Sequence, residues 1–347
     1  MRKETISAAG ARRARDWLKI RRCDCDRPDC VVTDALPAAA PVRDSRITEQ
    51  RNPRSAAIDL ADPQGIVDLM LADDRTVPDA VATARVEIAR AIAQAEHTFR
   101  RGGRLFYIGA GTSGRLGVLD ASECPPTFGS DPRMVQGIIA GGDHALRNAV
   151  EGAEDRASDG AAAIDAAELG EADFLVGIAA SGTTPYVRDA LIRAKARGAA
   201  TAIVACSPPP AATLAHVDIP IVTITGPEVL TGSTRLKAGT ATKLVLNMIS
   251  TGAMIRIGKS FGNLMVDLRA TNVKLIDRSE RILMEVGHLD RPAAAQLLAA
   301  AGGSVKTALV MQLLGVDREA AERQLEQEGG VIRRAVPAAV PPPVASA

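Results

Sequence analysis

Apolar positions along this chain follow two alternating patterns. Short runs recur in which nearly every residue is apolar: residues 105–108, 173–180, 201–205 and 220–225. They are too short for core helices and are bounded by Gly, Ser, Thr and Pro, so they read as strands of a parallel sheet buried on both faces. Between them the spacing becomes helical. Val81, Ala84, Ile88, Ala91, Ala95 and Phe99 predict one long helix over residues 78–101 that packs on the sheet. Asp79 and Glu87 lie early in it, Arg100 and Arg101 end it, and Gly102-Gly103 stops it. A second helix starts over residues 115–119 and is expected to stop at Pro125-Pro126, and a short one is expected over 144–150. Beyond Asp290 the pattern predicts three short helices, 292–301, 305–314 and 318–328, separated by Gly302-Gly303 and Gly315.

The chemistry gathers where strands end. The first run leads into Gly109-Ala-Gly111-Thr112-Ser113-Gly114, the second into Ser181-Gly182-Thr183-Thr184, and a third into the Gly226 to Lys237 segment with Ser233 and Thr234. The first loop fits the G-x-G-x-x-G dinucleotide fingerprint, which also expects an acidic residue about 20 positions on, at the end of a second strand. Here the next acids, Asp120 and Glu123, fall in a helix-like or turn segment instead. Three hydroxyl-rich loops at one edge of a parallel sheet suit a single phosphate and sugar hydroxyls better than a pyrophosphate. Ser113, Ser181, Thr183 and Thr184, with backbone N–H groups of Gly111, Thr112, Gly114 and Gly182, are the expected phosphate ligands. Ser233 and Thr234 are candidates for the sugar. Lys237 and Lys243 could face the phosphate, although surface lysines are commoner. The competing interpretation of the hydroxyls is helix N-capping. Glu123, close behind the first loop, points to proton chemistry on a phosphorylated substrate.

Composition narrows the class. A net charge of +1 gives no general attraction to nucleic acid or anionic lipid, and 2% aromatic content offers no base-stacking platform. No apolar run approaches the ~20 residues that span a bilayer. His97, His144, His216 and His288 fall at no metal-ligand spacing, so no metal is expected. Cys124 and Cys206 read as buried free thiols of a cytoplasmic protein. Residues 1–46, with Cys23, Cys25, Cys30, Trp17 and many arginines, differ from the rest and read as a disordered extension, and 337–347 as a disordered Pro/Ala tail.

Residues 109–129, Glu49-Gln-Arg-Asn-Pro53, Val150-Glu-Gly-Ala-Glu-Asp155, Leu230-Thr-Gly-Ser-Thr-Arg-Leu-Lys237, Asn247 to Met254 and Asn263 to Lys274 together resemble the N-acetylmuramic acid 6-phosphate etherases. The resemblance runs from about residue 48 to 335. It implies an α/β sugar isomerase (SIS) fold, a doubly wound parallel sheet, over 47–280, followed by a small three-helix, ubiquitin-associated-like bundle over 281–336. It also implies a cytoplasmic homodimer, without a cofactor, that cleaves the D-lactyl ether of N-acetylmuramic acid 6-phosphate in peptidoglycan recycling. The family's reaction eliminates lactate from C3 of the open-chain sugar after loss of the C2 proton, and then adds water. By resemblance the proton-transfer residues are Glu123, as proton donor, and Glu154. Glu228, at the third strand end, ranks below them. An aldose–ketose isomerase on the same fold and a non-catalytic phosphosugar sensor are the alternatives.

Overall fold

The computed structural model describes residues 44, 46–267 and 273–337. The expected extension therefore lies outside the described residues except for Asp44 and Arg46, and the expected tail except for Pro337. Cys23, Cys25 and Cys30 lie outside them too.

Helices α1 (Pro63–Asp74), α2 (Val77–Thr83) and α3 (Arg85–Arg100) precede the sheet. Then follow β1 (Leu105–Gly109), α4 (Gly111–Phe128), β2 (Val135–Ile139), α5 (His144–Arg147), α6 (Ala157–Ala166), β3 (Phe174–Ile178), α7 (Pro185–Ala196), β4 (Ala200–Ala205), α8 (Ala211–Leu214), β5 (Ile219–Val222) and α9 (Lys237–Arg256). The five strands are parallel in the order β2-β1-β3-β4-β5, with Leu105 opposite both Val135 and Phe174. Side chains alternate between two cores. Leu105, Tyr107, Val176 and Val204 face α3, α4 and α9, whereas Phe106, Ile108, Leu175 and Ile203 face α6 and α7. Because both faces are covered, every residue of β1 and β3 is buried, which is why their sequences are unbroken apolar runs. This is the expected doubly wound sandwich.

The strand order places a topological switch between β1 and β3, whose following chains leave toward opposite sides of the sheet. Open α/β sheets bind ligands in the crevice outside such a point. Gly114 lets α4 start close against β1: a Cβ there would lie 2.6 Å from the Gly109 carbonyl oxygen and from Ile139 Cγ1.

Three local expectations change. The single helix over 78–101 is two, because Ala84 (φ −96°, ψ 15°) takes a tighter turn, which keeps both Val81 and Ile88 in the core. Pro125-Pro126 does not stop α4. The prolines sit in its last turn, where each removes one N–H bond, and the helix ends at Phe128 with Gly129 left-handed and its N–H on the Pro125 carbonyl. The helix expected over 144–150 is a single turn, α5, after which the chain extends at Asn148.

Beyond a two-residue hairpin, β6 (Ser260–Phe261) and β7 (Leu264–Met265), come α10 (Val273–Gly287), α11 (Arg291–Ala300), α12 (Val305–Leu314), α13 (Arg318–Gln327) and α14 (Ile332–Ala335). They enclose a core of their own around Val266, Leu283, Leu298, Leu309 and Leu325. α10 crosses position 280 and contributes Ile282 and Leu283 to this second core. Asp290, Ser304 and Asp317 cap α11, α12 and α13 by accepting N–H bonds from Ala293, Thr307 and Ala320. These caps explain why three short helices were legible as separate units. Among the described residues no single helix is long and apolar enough to cross a membrane.

Candidate functional site

The loops after β1 and β3 enclose a cavity of about 330 Å³ at the switch point, floored by Ile178 and Ala180. Gly111, Thr112 and Ser113 come from the start of α4, and Ser181, Thr183 and Thr184 from the loop before α7. The first N–H groups of an α-helix have no acceptor within the helix. At α4 the N-cap is Ala110, and at α7 it is Thr184; neither helix receives a side-chain cap. The N-capping interpretation of these hydroxyls therefore fails at both helices. Two uncapped N-termini, with the positive ends of their dipoles turned to one cavity and hydroxyls between them, form an anion cradle. Ser181 Oγ and Thr183 Oγ1 are 2.9 Å apart, and the Thr183 N–H donates to Ser181 Oγ at 3.2 Å, which holds the β3 loop in shape.

The loop after β5 reaches the same cavity although β5 is at the sheet edge, two strands away from β3. Gly232 and Thr234 line the wall; Ser233 is half-buried beside them and does not. Gly114 and Gly182 are buried behind the lining, where they permit close packing.

The two carboxylates expected to act together are apart. Glu154 sits in a 3-10 turn, Ala153–Asp155, and lines the cavity with Asp155. Glu123 lies twelve residues past the start of α4, which is ~18 Å along a helix axis. It lines a different cleft, with Leu119, Asp120, Lys243 and Asn247. Under that cleft Asp120 is buried and accepts from Asn247 Nδ2 (2.6 Å) and Ser250 Oγ (3.2 Å), tying α4 to α9. Burial raises its pKa, and those donors oppose the rise. The Cys124 thiol, also buried, is pushed up to about 12, chiefly by burial. It is therefore a structural thiol rather than a nucleophile.

Lys237 does not line the cavity. Its ammonium is 2% exposed and lies 2.8 Å from the equally buried Asp73, which also pairs with Arg54 and accepts from Asn52. Glu228 is fully buried and caps α9, accepting from the Lys237 N–H (3.0 Å) and the Ala238 N–H (2.9 Å). Burial raises its pKa, and those two N–H groups and the Lys237 charge oppose the rise. So the third helix N-terminus is occupied by a protein carboxylate, unlike the two at the cavity.

Sequence reasoning assigned no role to Arg46 and Glu49, both of which line the cavity. Arg46 is the basic side chain of that lining; it forks onto Asp44, whose carboxyl it holds down to about 2. The available signal was the Glu49-to-Pro53 string, which carries no periodicity because tertiary contacts place it. Among the described residues no group of three or more His, Cys, Asp or Glu side chains is arranged to hold a metal ion.

Residues 87–195, which include both cradle loops, match the glucokinase regulatory protein N-terminal SIS domain. An N-acetylmuramic acid 6-phosphate etherase of Trichormus variabilis is 52% identical over 290 residues, which cover 84% of this chain and 94% of that protein. One of Synechococcus elongatus is 54% identical over 292 residues, with 84% and 95% covered. Among solved structures a phosphoheptose isomerase from Francisella tularensis is a distant likeness. It has 18% identity and a TM-score of 0.36, and covers 52% of this chain and 98% of that one.

Proposed function

Because this chain belongs to the N-acetylmuramic acid 6-phosphate etherase family, we propose that its cavity holds N-acetylmuramic acid 6-phosphate, with the phosphate on the cradle of α4 and α7. The protein is a carbon–oxygen lyase of the SIS fold. Its products are N-acetylglucosamine 6-phosphate and D-lactate. The observation that carries the placement is the convergence of two helix N-termini without side-chain caps on Ser113, Ser181, Thr183 and Thr184.

With the phosphate held there, the sugar extends along the wall that carries Glu154 and Thr234. Elimination needs a base for the C2 proton, an acid for the departing lactyl oxygen and stabilisation of charge at O1. Carboxylates suffice for the proton transfers. Glu154 serves as one of the pair from within the cavity. Glu123 of the same chain is too far along α4 to touch the same substrate. It serves as the proton donor in a homodimer, where a second copy brings its own Glu123 to this cavity. The surface beside Glu123 supports that arrangement, since Leu119 in the same cleft is 53% exposed. The reading places the enzyme in the cytoplasm and gives it no nucleic-acid or membrane partner.

Isotopes test the chemistry. Lactate departs with the original ether oxygen, so water supplies the new oxygen at C3 and a solvent proton returns to C2. Turnover in heavy-oxygen water labels the 3-hydroxyl of N-acetylglucosamine 6-phosphate and leaves lactate unlabelled; turnover in deuterated water places deuterium at C2. Label in lactate, or no deuterium at C2, overturns elimination. An aldose–ketose isomerase releases no lactate at all.

Ser113→Ala and Ser181→Ala test the cradle. Phosphate contacts exist in both ground and transition states, so each substitution raises KM more than it lowers kcat. Each lost hydrogen bond to the charged phosphate costs about 1.5–3 kcal/mol. Steady-state kinetics with unchanged KM in both variants would place the phosphate elsewhere.

A further inference from the structure

Glu49 is a carboxylate in the cavity that the two-carboxylate chemistry does not use. It is half-buried, and its charge attracts the Arg46 guanidinium, also in the lining, which is itself hydrogen-bonded to Asp44. The position of Glu49 is closely held. On one side of it the Thr48 N–H donates to Ser207 Oγ (3.3 Å), just past β4. On the other, Asn52 Nδ2 donates to the Pro227 carbonyl (3.2 Å) and Ser55 Oγ to the Val229 carbonyl (2.8 Å). Thr48, Asn52 and Ser55 are all buried. The first bond fastens the short turn that bears Glu49 to the loop after β4, and the other two fasten it to the loop carrying Gly232 and Thr234. That loop makes room for it: Gly232 is left-handed (φ +76°), and a Cβ there would lie 3.2 Å from Glu49 Oε2.

A carboxylate is an acceptor without a proton to give at neutral pH. Beside an anion cradle it repels phosphate, so it cannot be a phosphate ligand. What it fits is a donor: a hydroxyl or the amide N–H of a sugar whose phosphate is already held elsewhere. We propose that Glu49 is a specificity-determining residue that accepts a hydrogen bond from a hydroxyl or amide N–H of the bound amino sugar. The cavity then selects a phosphosugar over a bare phosphate by an acceptor placed to repel the anion and receive the sugar's donors. This rests on the reading of the cavity as a phosphosugar site.

The test compares two probes by calorimetry, N-acetylglucosamine 6-phosphate and inorganic phosphate, on wild type, Glu49→Gln and Glu49→Ala. Glu49→Ala is expected to weaken sugar phosphate about 10- to 100-fold, the span of a hydrogen bond to a charged group. Inorganic phosphate should bind as in wild type or more tightly. Glu49→Gln, which keeps an acceptor oxygen without the charge, should fall between. In steady-state kinetics KM should rise with kcat nearly unchanged. Unaltered sugar phosphate affinity in Glu49→Ala overturns the proposal. So does parallel weakening of both probes with a lower Tm, which would make Glu49 a structural element of the turn. A large fall in kcat at constant KM overturns it as well, by making Glu49 a proton-transfer group. If wild type itself binds neither probe, the phosphosugar reading of the cavity falls and this proposal falls with it.

Discussion

Equal mixtures of Glu123→Gln and Glu154→Gln regain activity that neither variant has alone. Each carboxylate is expected to transfer a proton in elimination, and losing a general acid or base typically costs 10²–10⁴-fold in rate. Neither residue carries the fold: both are exposed, Glu123 on the surface of α4 and Glu154 in a 3-10 turn. The single variants should therefore stay folded, with kcat down by about two orders of magnitude or more. Complementation follows from helix geometry. If one copy provides Glu154 and the other Glu123, a mixed dimer holds one intact site and one doubly altered site. Random exchange makes half the dimers mixed, so an equal mixture recovers about a quarter of wild-type activity. If both residues act from one chain, mixing restores nothing. Measured lactate release after co-refolding or subunit exchange decides between these outcomes, and near-wild-type kcat in either single variant would remove that residue from the mechanism.

The second large effect concerns stability. Lys237→Met removes the buried ammonium paired with Asp73 and the charge that opposes the raised pKa of Glu228, leaving Asp73 only the exposed Arg54 as ion-pair partner. Removing one partner of a buried ion pair typically costs 3–5 kcal/mol, and the exposed Arg54 that stays beside Asp73 compensates only part of it. Denaturant unfolding at neutral pH should show a loss of about that size. The loss should shrink as pH falls. Burial already raises the Glu228 pKa and the Lys237 charge opposes that rise, so without the lysine the folded-state pKa of Glu228 rises further; its charge is destabilising only above the ordinary carboxylate range, and protonation relieves it. The folded variant should bind inorganic phosphate as wild type does. Unchanged stability together with lost phosphate binding would instead make Lys237 a ligand of the substrate.

The sequence was legible wherever one local rule decided the outcome. Residues 105–108 and 173–180 could be read as strands, observed at Leu105–Gly109 and Phe174–Ile178, because both faces of β1 and β3 are buried, which forces continuous apolar runs. The C-terminal helices were legible nearly to the residue because Asp290, Ser304 and Asp317 cap their starts and Gly302 and Gly315, both left-handed, mark the ends of α11 and α12. The hydroxyl-rich loops were visible for the same reason: strand, turn and helix follow each other in a short stretch of chain.

Tertiary structure alone decided what each of those parts faces. Glu123 is close to Ser113 in sequence, yet the rise of α4 carries it to another cleft. Glu49 is more than sixty positions from Ser113 in sequence, and long-range hydrogen bonds bring it to the same cavity. Lys237 reads as a phosphate-facing cation at a helix start; the fold encloses it with Asp73, 164 positions away. Pro125-Pro126 reads as a stop, yet α4 runs on through it to a left-handed glycine. Periodicity and caps report the burial and the ends of a single element, because they depend on residues a few positions apart. Which elements meet depends on strand order and on partners far along the chain, and no local pattern of side chains encodes that distance.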